Sequence, residues 1–237
     1  KIGWIPEGWT IFTLDKLGNF LKGKGISKSD LVKDGIPCVL YGELYTHHEN
    51  ILKKFNSYID KKIATESKEI QRDDLLFPGS GETADEVGKA TAYLKTEKAY
   101  AGGDIIILRP SRGDSTYLAH FINSEKGRKQ RTKLGQGHSV VHIYPNSLKK
   151  MLVPYPPITE QQKIAQILTT WDNAIEITQK LVTAKEQQKK VLMQQLLTGH
   201  KRFGEYNSNN WCEVKLGDVF NERNETNFPD LKLLAIT

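Results

Sequence analysis

The sequence predicts an α+β protein: a mixed α/β domain over 1–157, then one long coiled-coil-like helix over 158–200. Residues 201–237 form a linker and the start of a second, incomplete copy of the domain. Three observations carry this reading. Short apolar runs punctuated by Gly and Pro fill 1–157, no Pro or Gly interrupts Thr159 to Leu197, and the opening of the chain begins again near its end.

In the domain, Cys38-Val39-Leu40-Tyr41, Asp74-Leu75-Leu76-Phe77, Ala90-Thr91-Ala92-Tyr93-Leu94, Asp104-Ile105-Ile106-Ile107-Leu108-Arg109 and Val140-Val141-His142-Ile143 read as strands. Each is brief, and most are bounded by Gly, Pro or charged turns. Ser115–Ile122 reads as a capped helix start, with Leu118, Phe121 and Ile122 on one face. After Pro156-Pro157 the character changes. Thr159-Glu160-Gln161-Gln162 has the form of a capping box, in which the Thr159 hydroxyl and the Gln162 side chain satisfy each other's backbone donors. The uninterrupted helix it opens would span roughly 58 Å at 1.5 Å per residue. Gly199 stops it.

The restart is specific. Trp9-Thr10-Ile11-Phe12-Thr13-Leu14-Asp15-Lys16-Leu17 returns as Trp211-Cys212-Glu213-Val214-Lys215-Leu216-Gly217-Asp218-Val219, and a weaker echo relates Gly35–Tyr41 to Asp230–Ile236. A repeat of such long period means two equivalent modules, suited to a ligand with two halves.

Composition narrows the class. With 237 residues, 38% hydrophobic and 26% charged, the chain can bury an ordinary core. No run reaches the ~18 apolar residues that span a bilayer, and Lys1-Ile2-Gly3-Trp4 does not open a secretory signal, so the expected place is the cytoplasm. Cys38 and Cys212 lack metal or redox spacing and read as inert, and no metal site is expected. A formal charge of +6 suits a polyanion without requiring one.

The placement of the basic residues says more. Lys126, Arg128, Lys129, Arg131 and Lys133 run into the glycine-broken Leu134-Gly135-Gln136-Gly137-His138-Ser139, and Lys22-Gly23-Lys24-Gly25-Ile26-Ser27-Lys28 is a second basic glycine loop. Cations and backbone N–H groups hold phosphates, while flexible donors and acceptors reach base edges. A third loop, Phe77-Pro78-Gly79-Ser80-Gly81, resembles the Phe-x-Gly-x-Gly turn that holds S-adenosylmethionine in methyltransferases. The matching catalytic half is missing: the double proline Tyr155-Pro156-Pro157-Ile158 lacks the Asn or Asp and the final aromatic residue. Gly79–Thr83 therefore reads as a tight loop of a binding domain.

On the helix, Ile164, Leu168, Trp171, Ile175, Thr178, Val182, Lys185, Lys189, Leu192 and Leu196 follow at alternating spacings of four and three. A compact domain of roughly 150 residues is only about 30–35 Å across, so part of such a helix should project and its stripe should need a partner. An antiparallel partner helix would make a fixed spacer between two recognition domains.

With these elements in place, the chain resembles the specificity subunit of type I restriction-modification systems. The resemblance rests on Ile5-Pro6-Glu7-Gly8-Trp9, Leu76-Phe77-Pro78-Gly79-Ser80-Gly81-Glu82-Thr83, Val153-Pro154-Tyr155-Pro156-Pro157-Ile158-Thr159-Glu160-Gln161-Gln162-Lys163-Ile164-Ala165 and Lys189-Lys190-Val191-Leu192-Met193-Gln194-Gln195-Leu196-Leu197-Thr198-Gly199. It implies a non-catalytic protein whose target-recognition domain reads one half of a bipartite double-stranded DNA sequence. It also implies modification (methyltransferase) and restriction (motor-nuclease) partners. S-adenosylmethionine, ATP and magnesium would sit on those partners and no cofactor on this chain. The chain holds one recognition domain and one spacer helix, half of the family's pattern: either it is a piece of a longer chain, or it is a natural half that pairs with a second copy through Ile164, Leu168, Trp171, Ile175, Val182, Leu192 and Leu196.

The family supplies no residue code for DNA contacts, so the candidates rest on chemistry. Lys22, Lys24, Lys28, Arg128, Lys129, Arg131 and Lys133 are expected on phosphates, and Tyr41, Glu43, Ser80, Thr83, Gln136 and His138 at base edges. The competing readings are an S-adenosylmethionine-dependent adenine methyltransferase fragment and a coiled-coil protein-interaction module.

Overall fold

The structure is a computed structural model that describes residues 3–83, 85–137, 140–208 and 210–221. Its contacts divide between Ile175 and Glu176 into two compact units. In chain order the first unit holds β1 (Thr10–Thr13), β2 (Gly18–Lys22), β3 (Leu31–Val32), β4 (Ile36–Val39), α1 (Tyr41–Thr46), β5 (Ser57–Ile59), α2 (Lys61–Glu66) and β6 (Lys68–Ile70). It continues with β7 (Leu75–Pro78), β8 (Ser80–Gly81), β9 (Thr91–Ala92), β10 (Ala99–Ala101), β11 (Ile105–Pro110), α3 (Ser115–Asn123), α4 (Glu125–Leu134), β12 (Val141–His142), α5 (Pro145–Leu148) and β13 (Leu152–Tyr155). The long helix α6 (Ile158–Leu197) begins in this unit and ends in the second, which also holds α7 (Leu216–Val219).

The core is built on β7 and β11, antiparallel neighbours in the four-stranded sheet β2-β11-β7-β9. Both are unbroken apolar runs because both faces of the sheet are covered. Leu75, Phe77, Ile106 and Leu108 point into a cluster shared with Tyr117, Leu118 and Ile122 of α3. Leu76, Ile105 and Ile107, alternating to the other side, meet Val39, Leu44, Leu52 and Tyr93. A five-stranded sheet, β3-β5-β4-β10-β6, adds a smaller cluster around Cys38, Ile59 and Tyr100.

All five expected strands are present, several shortened. The run ending at Tyr41 stops at Val39, because the Glu43 carboxylate accepts from Leu40 N at 3.0 Å and starts α1 there. The cap of α3 is Asp114 rather than Ser115: its carboxylate accepts from Tyr117 N at 2.8 Å.

The capping box at Thr159 and Gln162 is replaced by another device. Helix α6 starts one residue earlier, and Glu160 N and Gln161 N both donate to Pro157 O. Gln161 is fully buried, accepts from Asp114 N at 2.9 Å and donates to Pro156 O at 2.8 Å. Trp9 Nε1 donates to Glu160, Asn50 Nδ2 to Asp172 and Lys53 Nζ to Asn173, at 3.2, 2.9 and 2.9 Å. Ala165 and Ile164 enter the core beside them. The Pro-Pro-x-x-Glu-Gln run is thus a clamp that fixes the base of the helix to the domain.

In the second unit the sequence repeat recurs as local structure. Leu216–Val219 forms a short helix where the equivalent Leu14–Lys16 forms a 3-10 turn. Leu14 and Leu17 are fully buried, whereas Leu216 and Val219 are 77% and 58% exposed. Thr10–Thr13 pairs with β13, and among the described residues Cys212–Lys215 has no such partner strand and is not a strand. The Trp211 indole lies over Gly199, where an added Cβ would sit 2.6 Å from its Nε1, and the Arg202 guanidinium lies 5.8 Å from the ring centre. The echo at Asp230–Ile236 lies outside the described residues.

Candidate nucleic-acid interface

Three of the segments singled out by sequence meet at one open cleft of about 620 Å³. Ser27 and Lys28 come from the first basic loop, Tyr41, Glu43 and Tyr45 from α1, and Glu82 from the glycine loop; Gly102, Gly103 and Asp104 are also in its wall. The basic loop is held close by glycine. A Cβ on Gly23 would fall 1.9 Å from Gly102 O, and Gly25 sits at φ +77°. Lys22, Lys24 and Lys28 are exposed on this loop. The Ser27 backbone N–H and hydroxyl both donate to Asp30, fixing the turn and holding its carboxyl below the usual carboxylate range.

Within the cleft Tyr41 is 40% exposed, and its ring lies 6.4 Å from that of Tyr45. Burial, then the charges of Tyr41, Glu86, Glu82 and Asp104, push the Tyr45 phenol above its ordinary pKa, so it remains a donor. Glu43 is committed elsewhere: one oxygen caps α1 and the other accepts from the Ser57 hydroxyl at 2.5 Å, so we withdraw it as a base reader.

The glycine loop is closed on itself. Glu82 N and Thr83 N both donate to the Glu86 carboxylate at 3.0 Å, Gly79 N donates to Asp104 O at 2.8 Å, and Ile143 N donates to Gly79 O at 2.8 Å. These N–H groups are spent on the protein, so the loop is a tight turn and no cofactor cradle. Ser80 is buried and shares a 2.7 Å hydrogen bond with His142 Nδ1, which withdraws it as a base contact, while the Thr83 side chain stays exposed.

The second basic segment, α4, is not part of the cleft lining, and its members have different fates. Arg128 donates to both Asp85 carboxylate oxygens at 2.9 Å, Lys129 pairs with Glu125 at 2.6 Å, and Lys133 is exposed. Arg131 is only 2% exposed. Its guanidinium donates to Ile122 O, Asp85 O and Val87 O at 3.2, 3.0 and 2.8 Å, and burial pushes its pKa down to about 10. It ties α4 to the segment around Asp85 and Val87, between β8 and β9, and we withdraw it as a phosphate contact. Gln136 exchanges backbone hydrogen bonds with His142 at 2.8 Å and leaves its side chain exposed; His138 lies outside the described residues.

Sequence reasoning passed over Tyr45, Glu82 and Asp104. The signal for Tyr45 was its i,i+4 spacing from Tyr41, visible only once a helix is known to start there. Asp104 follows Gly102-Gly103, a pair that opens the wall, since a Cβ on Gly103 would meet nothing closer than 4.0 Å.

Along α6, Leu168, Trp171, Ile175, Val182, Leu192 and Leu196 are 39, 66, 66, 45, 37 and 36% exposed, and Ile164 is partly covered by the core. The spacing of the stripe, though not its residue types, is the same from either end. Ile164 and Leu196, Leu168 and Leu192, Trp171 and Lys189, Ile175 and Lys185, and Thr178 and Val182 each straddle Lys180 at equal distance. Ile164 and Leu168 also line an apolar cavity of about 430 Å³ with Trp4, Trp9, Tyr117 and Phe121.

Among the described residues no group of three or more His, Cys, Asp or Glu could hold a metal ion, and no helix is long and apolar enough to cross a membrane. Cys38 is buried and its thiol is pushed up to about 12, first by burial and then by the charge of Glu43, so it is no nucleophile at neutral pH.

This mixed α/β fold with its long helix is shared with solved structures. It matches the crystal structure of a type I restriction-modification S subunit from M. genitalium with a TM-score of 0.58 at 16% identity, covering 87% of this chain and 52% of that one. The HsdS subunit from Thermoanaerobacter tengcongensis gives 0.53 at 16% identity, covering 74% and 40%. Residues 6–184 match the family model of the type I restriction modification DNA specificity domain, and the chain belongs to that family. The EcoKI specificity subunit of Escherichia coli is 27% identical over 178 residues, covering 71% of this chain and 37% of the relative. A putative MjaX specificity subunit of Methanocaldococcus jannaschii is 26% identical over 235 residues, covering 92% and 54%. The chain spans about half the length, or less, of the curated relatives it matches.

Proposed function

We propose that this chain is a DNA-specificity component of a type I restriction-modification enzyme, acting in the cytoplasm. Its domain over 1–157 reads one half of a bipartite double-stranded target, α6 is the spacer, and 201–237 opens the second module. It is non-catalytic. Modification and restriction subunits carry the chemistry, with S-adenosylmethionine, ATP and magnesium bound to them. The observation that carries this reading is the family membership over 6–184, joined to a cleft where Lys28 of an exposed lysine loop meets Tyr41 and Tyr45 of α1. Lys22, Lys24, Lys28, Lys129 and Lys133 are proposed on phosphates, with Arg128 released from Asp85 to join them, and Tyr41, Thr83, Gln136 and His138 near bases.

The symmetric stripe supports a two-fold antiparallel pairing of two copies. In that register Leu192 and Leu196 of one copy meet Leu168 and Ile164 of the other, filling the cavity beside them. Lys189 meets Trp171 as a cation–π pair, and the Lys185 stem covers Ile175, which accounts for a polar middle in an apolar stripe. Ile177 and Leu181, 66% and 56% exposed and off this stripe, remain for a modification subunit.

The test is selection from a random duplex pool by the chain together with its modification subunit. A motif enriched over the modification subunit alone is expected, and no enrichment would refute the reading.

A further inference from the structure

The cleft at α1 has a chemistry that phosphate binding does not explain. It lies beside a lysine loop, yet two carboxylates, Glu82 and Asp104, line it with Tyr41 and Tyr45. Glu43, the third carboxylate, is spent on the α1 cap and Ser57. Carboxylates beside a DNA backbone repel it, so their presence in a nucleic-acid interface demands a donor on the ligand.

The position of Asp104 is built. A Cβ on Gly79 would fall 2.8 Å from Asp104 Oδ1 and 3.0 Å from Asp104 O, so only glycine at this point leaves room for the carboxylate. The glycine loop, closed to cofactors by Glu86, therefore has a second use: Gly79 seats Asp104, and the same loop carries Glu82 into the cleft. Gly103 adds no side chain to the wall beside them.

In the major groove the donors on base edges are the N6 amino group of adenine and the N4 amino group of cytosine. An acceptor-only carboxylate takes a hydrogen bond from either and rejects N7, O6 and O4. We propose that Glu82 and Asp104 are specificity-determining residues, each accepting from the amino group of an adenine or cytosine. They would fix which strand carries that amino group at one or two adjacent base pairs. Lys28 holds the flanking backbone, and Tyr41 and Tyr45 form the cleft's aromatic wall. This rests on the proposed DNA-reading function.

The experiment compares the chain with its Glu82→Gln and Asp104→Asn variants, each assembled with the modification subunit. A motif is selected from a random duplex pool, and affinity is then measured for the selected duplex and for a scrambled one. The amides offer a donor where the carboxylate offered none, so the swapped base pair is admitted at one position. The ratio of target to scrambled affinity falls by roughly 5- to 150-fold per lost contact. Affinity for the scrambled duplex rises at the same time, because a negative charge has left the surface, a gain that a merely structural role would not produce. If the unaltered chain selects no motif, the DNA-reading function itself fails. If it selects a motif that both variants keep at an unchanged ratio, the assignment of the two carboxylates is overturned and the cleft serves a cationic partner instead.

Discussion

Replacing Arg131 by Met should unfold the domain more readily and leave its DNA electrostatics alone. Three backbone carbonyls, of Ile122, Asp85 and Val87, accept from this one guanidinium at 2.8 to 3.2 Å in a site only 2% exposed. Met keeps the apolar stem but leaves the carbonyls without that donor. A buried group left unpaired costs about 1–3 kcal/mol, and removing a desolvated cation returns part of this. Over three carbonyls, less the part returned, the net loss is about 3 kcal/mol, read as a lower urea midpoint at unchanged slope. With a pKa near 10 the group is charged at pH 7, so the loss is the same at pH 7 and pH 8. Lys133, exposed on the same helix, gives the opposite pattern: Lys133→Ala keeps the urea midpoint and lowers the salt slope of DNA binding by about 1. If Arg131→Met held its stability within about 0.5 kcal/mol and lowered the salt slope by about 1, the buried role would be refuted.

Gln161→Leu removes both hydrogen bonds of the helix clamp and should cost about 2 kcal/mol in a urea melt, while Gln162→Leu on the exposed face costs nothing measurable. Leu168→Asp with Leu192→Asp should halve the mass seen by light scattering at tens of micromolar; an unchanged mass contradicts pairing through the stripe. In a Cys212→Ser background, Ile164→Cys with Leu196→Cys should oxidise to a covalent dimer, whereas Ile164→Cys alone should not; a covalent dimer from Ile164→Cys alone means parallel pairing. Burial, then His47, Lys54 and Lys89, push buried His48 down to about 4, and burial lowers His120 despite Asp172. Because the unfolded chain takes up these protons first, stability is unaffected above about pH 6.5 and falls as pH drops from there toward 4. His48 alone should cost roughly 1–2 kcal/mol at pH 5. His48→Gln should flatten that slope, and a slope unchanged in the variant would locate the effect elsewhere.

The elements most legible in the sequence were those set by local chemistry. Helix α6 was read nearly to the residue because Pro157 and Gly199 bound a stretch free of helix breakers, and β7 and β11 because an unbroken Leu-Leu-Phe or Ile-Ile-Ile-Leu run must be buried on both faces. What failed depended on distant partners. Arg131 looked like its neighbours in a basic run, and only the packing of the loop around Asp85 and Val87 makes it internal. Glu43 looked available until the turn at Leu40 claimed it, and Gln161 was passed over for Gln162 because one of its partners, Asp114 N, lies across the domain. The cleft was half legible: Lys28 and Tyr41 stood out, whereas Asp104 is placed there by Gly79 from another strand's end.

Recognition of a split DNA target is tested most directly by sequencing adenine methylation in cells that carry this chain with its modification subunit. The expected result is a two-part motif separated by a fixed spacer, absent when the chain is deleted and altered by Asp104→Asn in each half-site that a copy of this domain reads. A symmetric motif would match the antiparallel pairing of two copies. Methylation at an undivided motif, or a pattern unchanged by deleting the chain, would contradict its role as the sequence reader.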